Sequence, residues 1–558
     1  MSGAAQRSYA SGAAELPLRG DTIGQALAAT VAAHPRGLAL VARHQGIRQT
    51  WTELAGSVDD TARALLALGL DRGDRLGVWA PTCAEWTWLQ LASARLGVIV
   101  VNVNPGYRAA ELAFALGHAG VKVLAMPARF RTSDYGALLA EARPGLAALD
   151  RVVLLGEEPL DGPGLLGWAE FMAAGREVAD GAVEALECRL DPDDPINIQY
   201  TSGTTGSPKG ATLTHHNILN NAVVAAAVTR YTPGDRVCIP VPMYHCFGMG
   251  IGNLGCVVSG STMVYPAAVF DPLATLEAVA EEGCTSLYGV PTMFIAELDH
   301  PRFAEFDLGT LRTGMMGGAP CPVEVMKRVI ADMGCAEVCI IYGMTETSPV
   351  TFMTRHDDSV ERRVSTVGTA LPHTEAKVVD PASGATVARG EPGEVCTRGY
   401  AVMRGYWDNP AATAEAIDQA GWMHTGDLGV MDDMGYLNIV GRIKDIVIRG
   451  GENLFPREIE EVLFEHPAVA SAQVIGVPDA RMGEELMAWV VLRAGAEASA
   501  ADLQDFCRSR LAHFKVPRYV KFTDGFPMTV TGKVQKFRMR EMAIDELDLH
   551  AAAAIRTA

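Results

Sequence analysis

The sequence predicts a large α/β N-terminal domain of layered sheets and helices, followed by a small α+β C-terminal domain. Three observations carry that fold class. Between about residue 20 and residue 440, helical stretches alternate with short apolar strands, as in largely parallel sheets covered by helices. After GRIKDIVIRGGENLFP (441–456) the texture changes to an amphipathic helix, two strand-like runs, a second helix and a last short strand. A chain of 558 residues has room for two to four domains, each with its own core.

The elements follow in order. TIGQALAATVAAHP is an amphipathic helix entered from Asp21 and stopped at Pro35. Trp86–Val101 is apolar, but Arg95 interrupts it and it falls short of the roughly 20 residues that span a bilayer. Its end, LGVIVVNVNP, reads as a buried strand stopped by Asn-Pro. INIQ (196–199) is strand-like and AVVAAAV (222–228) is helix-compatible. Val237–Phe270 contains no Lys, Arg, Asp or Glu, and its prolines and glycines predict loops and short buried strands. CAEVCIIYG (335–343) is a strand running into a loop. In the C-terminal module REIEEVLFEHP puts Ile459, Val462 and Leu463 on one helical face, ahead of AVASAQVIGV, ELMAWVVL, AADLQDFCRSRLA and RYVKF. The predicted boundary lies at Arg442–Lys444.

Composition excludes several functions. With 47 Lys+Arg against 66 Asp+Glu the formal net charge is −19, which argues against a nucleic-acid partner and against docking on an anionic leaflet. Eleven scattered cysteines without a CxxC pair predict neither a disulfide framework nor a zinc site, and fit a reduced cytoplasmic setting. Cys335 and Cys339 read as buried core. The N-terminal MSGAAQRSYASGAAELPLRG lacks an apolar h-region, so no secretory signal and no integral membrane segment are expected.

The chemistry concentrates in Thr201, Ser202, Gly203, Thr204, Thr205, Gly206, Ser207, Pro208, Lys209 and Gly210, directly after the INIQ strand. Its glycines admit close approach of a bulky anion, its hydroxyls donate hydrogen bonds and Lys209 adds a cation, which together suit a polyphosphate. A Walker A loop is excluded, because only two residues separate Gly203 from Gly206 and a glycine follows Lys209. Further segments stand in order: Gly-Gly-Ala-Pro at 317–320, Tyr-Gly-Met-Thr-Glu-Thr at 342–347, Trp-Met-His-Thr-Gly-Asp at 422–427, Gly-Arg-Ile-Lys-Asp at 441–445, Gly-Gly-Glu-Asn at 450–453 and Thr-Gly-Lys at 531–533.

On these motifs the chain resembles the adenylate-forming superfamily, which contains acyl-CoA synthetases, peptide-synthetase adenylation domains and beetle luciferases. The resemblance runs over roughly residues 20–545. It implies the adenylate-forming fold with a mobile C-terminal cap: a tail at 1–20, an N-terminal domain at 21–442, a hinge at 443–445, a cap at 446–545 and a tail at 546–558. It also implies ATP, Mg²⁺ and CoA as cofactor and cosubstrates. Tyr342 and the turn at Gly317, Gly318, Ala319 and Pro320 would hold adenine beside Gly343; Thr345 would touch the α-phosphate and Glu346 would hold Mg²⁺. Asp427 and Arg442 would bind ribose or phosphate, and Lys444 matches the hinge position, where many relatives carry Asp. Lys533 would bridge substrate carboxylate and α-phosphate, where a cation offsets the repulsion of two anions. Gly450 and Gly451 would line the pantetheine tunnel, and His245 would mark where that tunnel meets the acyl site.

Met243, Phe247, Met249, Gly289, Val290, Met315, Met316 and Gly317 are the expected acyl wall, with Val350 beside them. The absence of Asp between Val237 and Phe270 speaks against an amino-acid substrate, whose ammonium would lack a partner. RMGEE (481–485), HFKVP (513–517) and PMTVTGKVQKFRMRE resemble the medium-chain fatty acyl-CoA synthetase branch. The predicted activity is ATP-dependent acyl-CoA ligation. The alternatives are an adenylating enzyme for an aryl, branched or sulfur-containing short acid, and one loading a carrier protein in trans. The expected partners are a small-molecule carboxylic acid, ATP and CoA, and the expected assembly is a homodimer.

Overall fold

A computed structural model of the chain describes residues 6–553 apart from 157, 159, 161, 163, 202–207, 320, 451 and 529–533. Two compact units result, one of Ser11–Glu375 with Thr397–Met423, the other of Met1–Ala10, Ala376–Cys396 and His424–Ala558.

The larger unit is built on two large sheets, beside a small hairpin of Arg129–Phe130 with Ser133–Asp134. In the first, Leu165–Gly167, Arg151–Leu155, Val123–Pro127, Arg75–Val78, Ile99–Asn102 and Pro195–Thr201 lie side by side, and Lys209–Thr214 and Gly405–Tyr406 complete one edge. Parallel pairing prevails until Pro195–Thr201 turns back into Lys209–Thr214 as an antiparallel hairpin. The second sheet has nine strands, with Glu337–Gly343, Thr313–Gly317, Ser286–Gly289, Arg236–Cys238 and Thr262–Tyr265 parallel at its centre. Strands of such sheets are buried on both faces, which is why VVN and CIIYG read as continuous apolar runs.

The first helix, Ile23–Ala33, starts one residue later than Asp21 suggested. Thr22 is the cap: its side chain accepts from the Gln25 backbone while the Gln25 side chain receives the Thr22 N–H, a reciprocal capping box. The charge-free stretch also departs from expectation. Phe247–Leu254 forms a π-helical turn that continues into the helix Gly255–Ser259, where loops and strands were expected. Glycine is required at 248, because an added Cβ would overlap the Pro242 carbonyl. That segment is held by a ladder of buried amides. Asn197 donates to Asn102 Oδ1 at 2.8 Å, Gln199 donates to Asn197 Oδ1 at 2.8 Å, Asn102 donates to the Tyr244 carbonyl at 2.8 Å and Gln90 to the Met249 carbonyl at 2.9 Å. Buried polar groups persist only when paired in this way.

In the smaller unit, Pro392–Gly399, Met423–Met431 and Leu437–Arg442 are neighbours in one sheet. A second sheet joins Val469–Asp479 antiparallel to Gly483–Leu492, with Tyr519–Phe522 parallel on the far edge. The helix Pro456–Phe464 buries Ile459 and Leu463 against these strands, as its spacing predicted. No helix of the described residues is long and apolar enough to cross a membrane.

Candidate active site

The strand Glu337–Gly343 ends in a 3-10 turn, Thr345–Thr347, that buries Glu346. Gly343 has no substitute there, since a Cβ would overlap the Pro349 carbonyl. Around Glu346 three segments distant in sequence converge. Thr201 Oγ1 donates to Glu346 Oε1 at 3.1 Å, and the Tyr406 hydroxyl donates to the same oxygen at 2.9 Å. Thr201 stands opposite Lys209 across the hairpin, so the two residues that flank 202–207 are held in register, while 202–207 lie outside the described residues. The Lys209 ammonium sits 5.2 Å from the centre of the Tyr406 ring. Pairing of Ala211 with Tyr406, Trp407 N–H to the Gly210 carbonyl at 2.7 Å and Met403 N–H to the Glu346 carbonyl at 2.8 Å fix Gly405–Tyr406 to both hairpin and turn.

Burial, and next the adjacent Glu346 charge, push the Tyr406 phenol upward, so at neutral pH it remains a proton donor. Tyr406 was not among the expected site residues. The Gly-Tyr-Trp-Asp-Asn-Pro run at 405–410 is visible in the sequence, but nothing local says that its phenol reaches residue 346. Glu346 Oε2 has no hydrogen bond among the described residues. One buried hard-oxygen donor beside a phosphate-type loop fits Mg²⁺, which keeps several waters and takes its other ligands from nucleotide oxygens.

On the same side, Tyr342 meets Phe352 edge-on at 6.1 Å, and Gly318 adopts φ +79°, a conformation that favours glycine; Ala319 follows and Pro320 lies outside the described residues. Gly317 is dictated by packing, because its Cβ would meet Ile341 O at 2.7 Å. Thr345 Oγ1 lies 3.7 Å from the Cys246 thiol, next to His245, whose Nδ1 accepts from the Phe247 N–H at 3.2 Å.

Of the expected acyl wall, Met243, Phe247, Met249, Val290 and Met315 share one core with Val350, and Phe247 stacks on Tyr288 at 5.3 Å. Met316 does not join them; it packs in a second core with Leu287, Val338 and Ile340. Successive residues of a strand face opposite sides, so adjacent methionines cannot line one wall. Gly289 leaves room for the Phe294 ring, 2.8 Å from where a Cβ would stand.

In the smaller unit Asp427 pairs with Arg442 across antiparallel strands, Arg442 Nε donating to Asp427 Oδ1 at 3.0 Å. Asp427 is buried while the Arg442 side chain is 59% exposed. Lys444 lies in the 3-10 turn Ile443–Asp445, and Gly450 takes φ +60° with its N–H on the Met482 carbonyl. Gly451 and Lys533 lie outside the described residues.

Residues 27–407 match the AMP-binding enzyme family, and residues 458–533 match the AMP-binding enzyme C-terminal domain. The chain belongs to the AMP-binding enzyme family. Among its relatives in that family, the acyl-CoA synthetase homologue YngI of Bacillus subtilis (strain 168) is 46% identical over 95% of this chain and 98% of its own. The mitochondrial medium-chain acyl-CoA ligase ACSF2 of Danio rerio is 43% identical over 97% of this chain and 91% of its own. The AMP-binding fold extends to the solved anthranilate CoA ligase AuaEII in complex with anthranoyl-AMP, with TM-score 0.85 and 26% identity over 96% of this chain and 99% of that one. ATP-bound MatB from Rhodopseudomonas palustris gives TM-score 0.83 and 30% identity over 95% of this chain and 100% of its own.

Proposed function

We propose that the chain is an ATP-dependent acyl-CoA synthetase whose acid is a medium-chain fatty acid. The acid's carboxylate attacks the α-phosphorus of ATP and pyrophosphate leaves; the CoA thiolate then attacks the acyl adenylate and AMP leaves. The observation that carries this reading is the buried carboxylate of Glu346, tied to the strand before the phosphate-type loop and to the Tyr342–Thr347 turn. The medium-chain relatives and the wall of Met243, Phe247, Met249 and Val290 support the choice of acid.

In this reading Glu346 would hold Mg²⁺, which when bound neutralises phosphate charge. Lys209 and Thr201 face the phosphates, Thr345 the α-phosphate, Tyr342 the adenine, and Asp427 with Arg442 the ribose. Lys533 serves the first half-reaction, Lys444 is the pivot between halves, and Gly450 and Gly451 line the path of pantetheine. Cytoplasmic location and a homodimer complete the proposal, the latter open to light scattering.

The deciding experiment is pyrophosphate release over straight-chain, branched and aromatic acids, with and without CoA. Straight medium-chain acids should give the highest kcat/KM and a thioester product. Faster turnover of aromatic acids, or adenylate without thioester, would reject the assignment. Lys533→Ala should abolish adenylation and spare thioester formation from supplied acyl adenylate; equal loss of both would remove its role.

A further inference from the structure

Glu394, Cys396 and His424 form a donor cluster that no step above uses. Glu394 and Cys396 stand two apart on Pro392–Gly399 and so face the same side of the sheet. The neighbouring strand Met423–Met431 supplies His424. One atom from each residue, a carboxylate oxygen, a thiol sulfur and a ring nitrogen, lies within 4.8 Å of the other two. His424 Nδ1 is 2.8 Å from Glu394 Oε2 and 3.5 Å from Cys396 Sγ. The other carboxylate oxygen, Glu394 Oε1, accepts from the Gly426 N–H at 3.1 Å, which aims Oε2 at the imidazole.

We propose that this cluster binds one Zn²⁺ ion. The donor set selects the metal: thiolate and imidazole suit a borderline-soft cation such as Zn²⁺, whereas Mg²⁺ takes oxygen ligands. Three protein ligands and a water complete a tetrahedron. Bond lengths of roughly 2.0 Å to N and O and 2.3 Å to S place such donors about 3.3–3.5 Å apart. The sulfur–nitrogen separation already meets that spacing, and the Glu394–His424 pair must open by about half an ångström. Cys396 is 0% exposed, whereas the His424 side chain is 33% exposed, so the imidazole is the solvent-facing member of the set. On binding, the thiol proton and the proton shared between His424 and Glu394 leave to solvent. The ion would cross-link the strand leading to Asp427 to its neighbour. Linear spacing could not disclose the site, because its ligands come from two strands and no CxxC or CxxxH pattern marks them.

The test is Co²⁺ titration of the chelator-treated full chain. One equivalent should produce a near-ultraviolet thiolate-to-cobalt band that Zn²⁺ abolishes. Cys396→Ser should lose the band, and His424→Gln, at a partly exposed position, should weaken Co²⁺ binding roughly tenfold or more. Absence of the band in the wild type overturns the proposal, as does a band unchanged in His424→Gln or Cys396→Ser. In the wild type those outcomes would leave Glu394–His424 a hydrogen bond bracing two strands and nothing more.

Discussion

Glu346 and Asp427 are both buried carboxylates held by side chains from strands, but their partners differ. Glu346 is 5% exposed and receives neutral hydroxyls from Thr201 and Tyr406. Asp427 is 8% exposed and faces a guanidinium whose side chain is mostly in water. Neutral donors orient a carboxylate without cancelling its charge, so Glu346 stays fit to hold a cation. Only the Arg442 end of this pair is solvent-screened, so the guanidinium can give way to ribose hydroxyls that keep the buried Asp427 supplied with donors.

Breaking the first arrangement should have the largest effect. Glu346→Gln keeps the shape and removes the charge, and pyrophosphate release should fall by roughly a hundredfold or more, as for loss of a metal that stabilises transferring phosphate. Less than tenfold loss would take the metal role from Glu346. Tyr406→Phe keeps the ring beneath Lys209 and removes one donor; Mn²⁺ affinity, measured by paramagnetic resonance, should fall about tenfold with Tm unchanged. Equal Mn²⁺ affinity would reduce Tyr406 to packing. Arg442→Ala, at the exposed end of its pair, should raise KM for ATP only a few-fold, and by less at high salt because exposed charges are screened beyond roughly 10 Å at 0.1 M. A salt-independent effect would show that the pair is buried in the working enzyme.

Glu297 sharpens the same comparison from the other side and should leave kinetics unaltered. It is fully buried on Pro291–Leu298, and neither carboxyl oxygen has a hydrogen-bond partner among the described residues. Burial holds its carboxyl well above the ordinary value of 4.5. The folded chain therefore keeps the proton while the unfolded chain loses it. Stability is fully present below the unfolded value and declines as pH rises towards the folded one. Glu297→Gln should flatten that decline in Tm; an identical pH profile in both proteins would show that Glu297 is paired or hydrated.

Much of the architecture was legible. The alternation of helix and strand predicted the parallel sheets, and the spacing of Ile459, Val462 and Leu463 predicted the helix Pro456–Phe464. The misses share a physical cause. Asp21 and Thr22 are both competent caps, and only the Gln25 side chain reaching back to the Thr22 N–H decides between them. Val237–Phe270 reads as loop because glycine opposes helix, yet Gly248 is needed where the π-helical turn crosses the Pro242 carbonyl. Met315 and Met316 are chemically equal in sequence, and the strand's alternation alone sends them to different cores.

By itself the sequence determined which chemical groups the protein owns and in what order: the phosphate-type loop, Tyr342–Thr347, Asp427, Arg442 and Lys533. Periodicity and capping are local, acting over a few residues, so they set elements but not encounters. The tertiary structure decided that residues 201, 346 and 406 share one carboxylate oxygen, and that 394, 396 and 424 bring three unlike donors together. Those meetings depend on strand order and register, which only the packed sheets define.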